Sequence, residues 1–454
     1  MARLVFGPRS ILFGAVVLAA VAGGSVTASA TSLMAALAAA YANNPTLNAA
    51  RAEQRAIDEG VPQALAGFRP RVTGSLSAGT TWSRNAGLST TMSSRSATIA
   101  IEQPIFNGFR TVNALKAAET AVLAGRESLR NTEQSVLLDA VTAFMNVVRE
   151  QAIVGLTAQN VDFLREQTRA AQDRLDVGEG TRTDLAQTQA AEAVGVSDYN
   201  LAIANLNAAV AVYMQVIGEH PRSLAAAGVA KGLPRSAEEV VALAMAHNPA
   251  ILAAQYNVDI GAFNVSVIEG GLLPSVSVTG SLSSTAGGAQ PGDSASVMGR
   301  VTVPIYEGGA ISSQVRQAKE RLGALRIQVD STRDAVRAQA VSAFGLLNAA
   351  QAQIRAAQAG VRAAQLALEG VQEERRVGQS TTLDVLNAQQ SVLNARVSLV
   401  RAQRDAVVAS YTLLAAIGRL DATALALNVT PYEPAEHYEQ VRDKWFGLRT
   451  PDGR

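Results

Sequence analysis

The feature that most constrains the fold is a repeat: the chain contains the same unit twice, about 200 residues apart. Asn44-Pro45 recurs as Asn248-Pro249, and the run TGSLS at 73–77 recurs at 279–283. Three further matches follow in the same order: PIxxG at 104–108 and 304–308, Val-Gly at 177–178 and 377–378, and Ile-Gly at 217–218 and 417–418. This period is far longer than that of solenoid repeats. We therefore predict an internal duplication in which each copy forms half of one architecture.

The first thirty residues carry the signature of a secretory signal peptide. Arg3 and Arg9 supply a basic start, an apolar run covers 11–21, and Ala28-Ser29-Ala30 is a small-x-small cleavage signal. The run is shorter than the ~20 residues that a membrane-spanning helix needs. We expect an exported chain without a later transmembrane helix, which can enter a membrane only as a β-barrel. The predicted division is a signal peptide at 1–30, structural repeats at 31–230 and 231–420, and a C-terminal tail at 421–454.

Composition excludes most enzymatic chemistry. The chain has no cysteine and only three histidines, which removes thiolate metal sites, Cys nucleophiles and lipidated Cys anchors and leaves little for His-based catalysis. Lys and Arg number 39 against 38 Asp and Glu, and this balance argues against a nucleic-acid partner. We therefore predict a protein that is not an enzyme and has no cofactor, no catalytic or metal site and no bound nucleic acid.

Each copy shows the same order of patterns: a helix, two strands, a very long helix, a turn and a second long helix. Apolar and polar residues alternate, as in half-buried strands, at 71–78, 97–102, 275–282 and 297–303. Stretches rich in Ser, Gly and Thr at 83–95 and 284–295 are predicted to be long hairpin loops.

The predicted long helices carry the 3.5-residue repeat of coiled coils. No proline occurs in 105–220 or 305–430, and a helix over 108–176 would be about 100 Å long. Apolar residues recur at alternating spacings of three and four along 196–217, 311–336 and 393–414. Arg404 is the one charged residue at these repeat positions. Four strands cannot close a transmembrane barrel, so we expect the chain to oligomerise, and three copies would supply twelve strands.

These motifs resemble the TolC-like outer-membrane channel family of Gram-negative export systems, in its unlipidated branch used for type I secretion. The resemblance rests on Asn44-Pro45, on the Pro-Ile stretches that open both long helices and on the turn at 377–388, and it covers roughly 31–420. It implies a mainly α fold with a β-barrel. The internally duplicated chain would form a long coiled-coil helical tunnel and contribute four strands to a trimeric twelve-stranded transmembrane barrel.

The resemblance also implies a location, a function and partners. The homotrimer would lie in the lipid of the cell outer membrane and extend into the periplasm. There it would meet a periplasmic adaptor (membrane fusion) protein and an inner-membrane ABC or RND transporter. It would act as a passive channel-tunnel for type I protein secretion or multidrug efflux. Two alternatives stay open, a periplasmic coiled-coil adaptor and a structural protein of an export complex, and no pattern specifies the substrate.

Polar residues at the second tip are the candidate functional site. In the family, acidic residues ring the periplasmic aperture, and the matching positions here are Asp384 and Asn387, with Asp184 as the equivalent in the first copy. Three copies of Asp384 around a narrow pore would repel one another, raise their pKa values and favour cations. The alternative is that Asp384 only caps its helix, since Thr381-x-x-Asp384 is a capping-box pattern.

Possible gate links form the second part of this site. In some family members, contacts from an Arg and a Tyr of the second turn to the Asp that matches Asp184 keep the tip closed. Those two positions are Ser380 and Arg375 here. Arg375, Arg376 or Arg182 could substitute for the missing link, because a guanidinium can bridge two carboxylates. The alternative is that these arginines are solvated tip charges.

The glycines of the two turns mark the tips themselves. Gly178 and Gly378 are predicted to adopt the left-handed conformation that ends many helices. The resemblance implies that the adaptor docks at these tips. The tail at 421–454 shares no repeat with the rest, and either wraps the outside of the tunnel or is loose.

Overall fold

The computed structural model describes residues 31–453, so the predicted signal peptide at 1–30 lies outside the described residues. The same order of elements occurs twice, with one exception. The first set is α1 (Leu33–Asn43), α2 (Pro45–Asp58), α3 (Gly60–Leu65), β1 (Arg71–Asn85), β2 (Leu88–Asn107), α4 (Arg110–Asp176) and α5 (Arg182–Ile217). The second set is α6 (Ala237–His247), α7 (Pro249–Glu269), β3 (Ser275–Gly287), β4 (Gly292–Thr302), α8 (Ala310–Arg376) and α9 (Thr382–Ala416), followed by α10 (Pro434–Val441). The exception is that one continuous helix of the second copy, α7, corresponds to α2 and α3 of the first.

Two helices of equal length dominate the structure. α4 and α8 are each 67 residues long, which corresponds to about 100 Å at 1.5 Å per residue. α4 packs along α5, α8 packs along α9, and α4 also contacts α7 and α9. The prediction of two very long helices, each reversing at a short turn, is confirmed. The largest buried side chains cluster where the second helices of both pairs return to the start of each copy: Leu37, Phe144, Tyr213, Leu413 and Ile417.

The sheet is antiparallel in the order β1-β2-β3-β4. Its register places Val72 opposite Ile101, so the apolar residues of the alternating pattern share one face. Leu76 and Val297 on that face are 87% and 83% exposed. The other face carries cross-strand hydroxyl pairs: Ser77–Ser96 at 2.7 Å, Thr98–Ser283 at 3.2 Å and Ser281–Ser296 at 2.8 Å. One apolar and one polar face is what the wall of a transmembrane barrel requires.

The strands are longer than the sequence predicted. β1 and β2 continue through 83–95 to a two-residue turn, Ala86-Gly87, whose φ angles of +50° and +90° suit a tight hairpin. In the second copy, only 288–291 separates β3 from β4. The prediction of long loops at 83–95 and 284–295 is therefore wrong. Beyond the apolar band both faces carry Ser and Thr, so the alternation that marks a strand disappears while the pairing continues.

Two asparagines join the start of each copy to its end. Asn44 Oδ1 accepts from the backbone N–H groups of Thr46 and Leu47 and so caps α2, while its Nδ2 donates to the carbonyl of Val216 at 2.8 Å. Asn248 repeats this arrangement: Oδ1 caps α7, and Nδ2 donates to the carbonyl of Ala416 at 3.1 Å. We call these two arrangements the asparagine joints. In each, one side chain hydrogen-bonds free N–H groups at the start of one helix and a free carbonyl group at the end of another. The asparagine joints explain why Asn-Pro occurs in both copies.

The tail packs against the first copy. His437 Nδ1 lies 3.0 Å from Oδ2 of Asp58, whose side chain is fully buried in α2. Arg69 donates to the carbonyl of Lys444 at 2.9 Å, and its guanidinium lies 4.6 Å from the centre of the Trp445 ring. For the part of the tail that is described, the loose-tail alternative is therefore wrong.

Two helical stretches have the length and apolar composition of a membrane span, 182–217 and 237–272. The expectation that no later stretch looks like a transmembrane helix is therefore wrong by that criterion. Little of either stretch is buried within the single chain. A helix with apolar residues on several faces needs neighbours on several faces, and in α5 the predicted repeat positions, such as Ile203 and Tyr213, already face the chain's own helices.

We predict that Asn44→Asp and Asn248→Asp each lower the thermal stability of the purified protein. Aspartate keeps the capping oxygen but loses the amide that donates to Val216 or Ala416. The carbonyl then loses its partner, at a cost of about 1 to 3 kcal/mol. The midpoint of thermal unfolding, followed by far-ultraviolet circular dichroism, measures the effect. Asn207→Asp, on the exposed side of α5, should keep the wild-type midpoint, and wild-type midpoints in both joint variants would contradict the prediction.

Candidate functional site

The two turns between the long helices have the same backbone geometry. Gly178 and Gly378 both have φ of +81°, so the predicted left-handed conformation is confirmed. In the first turn Gly178 N–H donates to the Leu175 carbonyl and Glu179 N–H to the Arg174 carbonyl. The second turn repeats both bonds one copy later. This pair of bonds is the Schellman motif, and it places Val177 and Val377 at the two tips, 72% and 70% exposed.

A capping box starts the helix after each turn. Thr381 Oγ1 accepts from Asp384 N–H and donates to Asp384 Oδ2 at 2.6 Å, while Thr381 N–H donates to the same carboxylate at 2.9 Å. Thr181 and Asp184 form the same box at the first tip. The hydrogen bonds from Thr381 hold the pKa of Asp384 below its usual value. In the single chain, Asp384 therefore caps its helix, as one of the two sequence alternatives proposed.

The two tip acids differ in exposure. Asp384 and Asn387 are exposed and lie three residues apart on the same side of α9. Asp184 is half-buried. The carboxylate of Asp384 is thus held in place by its cap and still faces solvent.

Arg375 is the tip arginine that links the two helix pairs. Its Nη1 donates to Oε1 of Gln167 in α4 at 2.8 Å. Burial and the nearby Arg174 lower the pKa of Arg375, while Asp184 acts in the opposite direction. The structure thus brings Arg375 into the electrostatic neighbourhood of Asp184.

The other predicted gate residues lie apart from this link. Arg376 Nη2 forms an exposed ion pair with Glu373 of its own helix at 3.1 Å. Ser380 Oγ donates to Glu374 Oε2 at 2.7 Å. Arg182 is exposed at the start of α5. These contacts are local to each tip, so among the named candidates only Arg375 contacts the other helix pair.

A polar ladder between the two helix pairs was missed by the sequence analysis. Arg404 Nε donates to Asn146 Oδ1 at 3.0 Å, and Gln389 Nε2 donates to Asn160 Oδ1 at 3.1 Å. Together with Arg375 and Gln167, these contacts connect the second pair to α4 from mid-length to the tip. The signal was present in Arg404, the one charge in the predicted repeat, because a polar residue at such a position needs a partner.

Comparison with known proteins identifies the family. A family model described as "Outer membrane efflux protein" matches residues 36–219 and 240–419. The outer membrane efflux protein BepC of Brucella suis is 46% identical over 428 residues, covering 93% of each chain. Outer membrane protein TolC of Escherichia coli is 26% identical over 427 residues, covering 89% of this chain and 86% of that protein.

The fold is shared with solved outer membrane channels. The Campylobacter jejuni CmeC outer membrane channel superposes with a TM-score of 0.77 at 17% identity, covering 90% of this chain and 89% of that one. The chain therefore belongs to the outer membrane efflux protein family, the TolC-like channels that its motifs resemble. It is an outer-membrane channel that extends into the periplasm, and its family and structural neighbours are channel proteins.

We predict that acidification loosens the start of α9. The lowered pKa of Asp384 means that its cap is fully present above the ordinary value of 3.8 and is lost as the pH falls through the folded-state pKa. Limited pepsin digestion from about pH 5 to pH 2, analysed by mass spectrometry, should show rising cleavage within 381–386. Asp384→Asn should be cleaved there even at the upper end of this range.

The control for this experiment is Asp198→Asn, which removes an exposed carboxylate from α5. It should follow the wild-type profile. If Asp384→Asn also follows that profile, the carboxylate does not stabilise the tip.

Proposed function

We propose that this channel provides passive exit across the periplasm and outer membrane for a multidrug efflux or type I protein secretion system. The observation that carries the proposal is the pair of equal-length helical hairpins, which extend from one four-stranded sheet and end in matched tips. The efflux function is supported by the name of BepC, at 46% identity, and the secretion function by the resemblance of the motifs. We also propose that the chain divides into structural repeats at 31–230 and 231–420 and a C-terminal tail from 421.

The proposed assembly is a homotrimer. β1 and β4 are the two edges of the sheet, and backbone groups in lipid must be paired. Three copies give twelve strands, and channels of this family are trimeric. The open apolar surfaces of 182–217 and 237–272 would then pack against neighbouring copies rather than cross the membrane.

The proposed partners are a periplasmic adaptor at the tips and an inner-membrane ABC or RND transporter beyond it. Val177-Gly178 and Val377-Gly378 present an apolar side chain and bare backbone at the far end of each hairpin. A partner hairpin can approach closely at such a surface because glycine has no side chain.

The proposed aperture is a ring of Asp384 carboxylates, one from each copy, with Asn387 beside it. The cap and the ring are compatible roles, since Thr381 holds the carboxylate while its face stays open to solvent. Three copies would then act on permeating ions as a cation-favouring ring. One Asp where relatives commonly have two predicts a weak filter.

The proposed gate link is Arg375, which holds α8 to α4 within one chain. Its contact with Gln167 and its proximity to Asp184 support this role. Opening the tip would require the two hairpins to separate, and that movement would break the Arg375–Gln167 contact.

We predict that Asp384→Asn weakens block of the channel by divalent cations about tenfold, because the ring loses its charge. The measurement is single-channel conductance in planar bilayers with increasing Mg²⁺ on the periplasmic side. Asp198→Asn removes an exposed carboxylate of α5 away from the tip and should leave the block unchanged. Equal block in wild type and Asp384→Asn would restrict Asp384 to its capping role.

We predict that Arg375→Gln increases the open probability and conductance of the same channel, because the two hairpins lose their charged contact at the tip. Arg376→Gln is the matched control, since Arg376 pairs only locally with Glu373 among the contacts found. An increase of the same size in both variants would assign the effect to tip charge in general.

A further inference from the structure

A cavity of about 380 Å³ lies far from the tips, where the tail meets the first copy. We call it the tail cavity. Its walls come from α1, α2, α4 and the stretch 421–434. It is not used by the channel mechanism above, and its polar lining comes from four different parts of the chain: Tyr41, Arg51, Arg126, Glu133 and Tyr432 among others.

Three side chains of the tail cavity carry buried atoms that lack a hydrogen-bond partner within 31–453. They are Nη2 of Arg51, Nε of Arg126 and the hydroxyl of Tyr432. Buried polar groups are nearly always paired, so three such atoms in one cavity point to an acceptor. An oxyanion accepts several hydrogen bonds at once and matches the planar guanidinium group.

The donors are held in place by aromatic rings. The Arg51 guanidinium lies 4.4 Å from the centre of the Tyr41 ring and 5.4 Å from that of Tyr432, and its Nη1 donates to Asn48. The Arg126 guanidinium lies 5.6 Å from the ring centre of Tyr438 in α10. Because these contacts fix the side chains beforehand, a ligand would lose little conformational entropy on ordering them.

The acids around the cavity are largely engaged elsewhere. Glu127 pairs with Arg130 at 2.8 Å, and Asp421 accepts from the backbone of Ala424 at 2.7 Å. Glu433 is exposed. Glu133 accepts from the backbone of Ala422 at 2.8 Å, and burial, with Asp421 close by, raises its pKa. The negative charge of Glu133 is therefore the one that repels an anion in the tail cavity, and protonation of Glu133 would remove this repulsion.

We propose that the tail cavity binds a small oxyanion, a phosphate or a carboxylate, through the guanidinium groups of Arg51 and Arg126 and the hydroxyl of Tyr432. The ligand would join α2, α4 and the tail, and so fasten the C-terminal segment to the body of the channel.

The test is isothermal titration calorimetry of the full chain, purified in detergent, with inorganic phosphate and with acetate at constant ionic strength set by chloride. Saturable binding of one ion per chain is expected, and the two titrations distinguish phosphate from carboxylate. Tyr432→Phe removes only the hydroxyl, and Arg126→Gln removes a charged donor. Each should weaken binding about tenfold, and Glu133→Gln should strengthen it.

Two controls separate this site from general charge and folding effects. Tyr438→Phe keeps its ring over Arg126, and Arg165→Gln removes an arginine of α4 that does not line the tail cavity. Both should bind the ion as the wild type does. Absence of saturable binding in protein with a normal thermal unfolding profile would overturn the proposal. Equal weakening by Arg165→Gln and Arg126→Gln would overturn it as well.

Discussion

The unpaired edges of the four-stranded sheet are the constraint on which the rest of the structure depends. β1 and β4 each leave a row of backbone groups open, and in lipid such groups can be satisfied only by closing the sheet with further strands. β2 runs into α4 and β4 into α8 through short connections. Closing the barrel therefore also fixes where the long helices start, and through their rigid length it fixes the tips at the other end.

The asparagine joints hold the middle of this long molecule in a fixed arrangement. Asn44 and Asn248 each tie the start of a copy to the end of its second long helix. Gly418 has φ of +75°, and an added Cβ there would collide with the carbonyl oxygen of His247. The backbones approach so closely that only glycine fits. The tail, fastened to the last residue of α2 by His437 and Asp58, adds a further connection to the first copy.

Much of the fold could be predicted because duplication and helical periodicity are strong, local signals. The turns at Gly178 and Gly378 and the caps at Asp184 and Asp384 follow from a few adjacent residues. The strand ends could not be predicted, because Ser and Thr on both faces of 83–95 erase the alternation. The contact of Arg375 with Gln167 and the lining of the tail cavity join residues far apart in sequence, so no local sequence pattern predicts them.

The equal lengths of α4 and α8 have an evolutionary consequence. Both helices span 67 residues, and their partners α5 and α9 span 36 and 35. Four residues inserted into both helices of one hairpin alone would lower its tip by about 6 Å and leave the other behind. Such insertions between the sheet and the polar ladder would also shift the contacts of the ladder out of register. Insertions and deletions in these hairpins should therefore survive only in pairs, one in each copy, so that the two halves of the gene are bound to change length together.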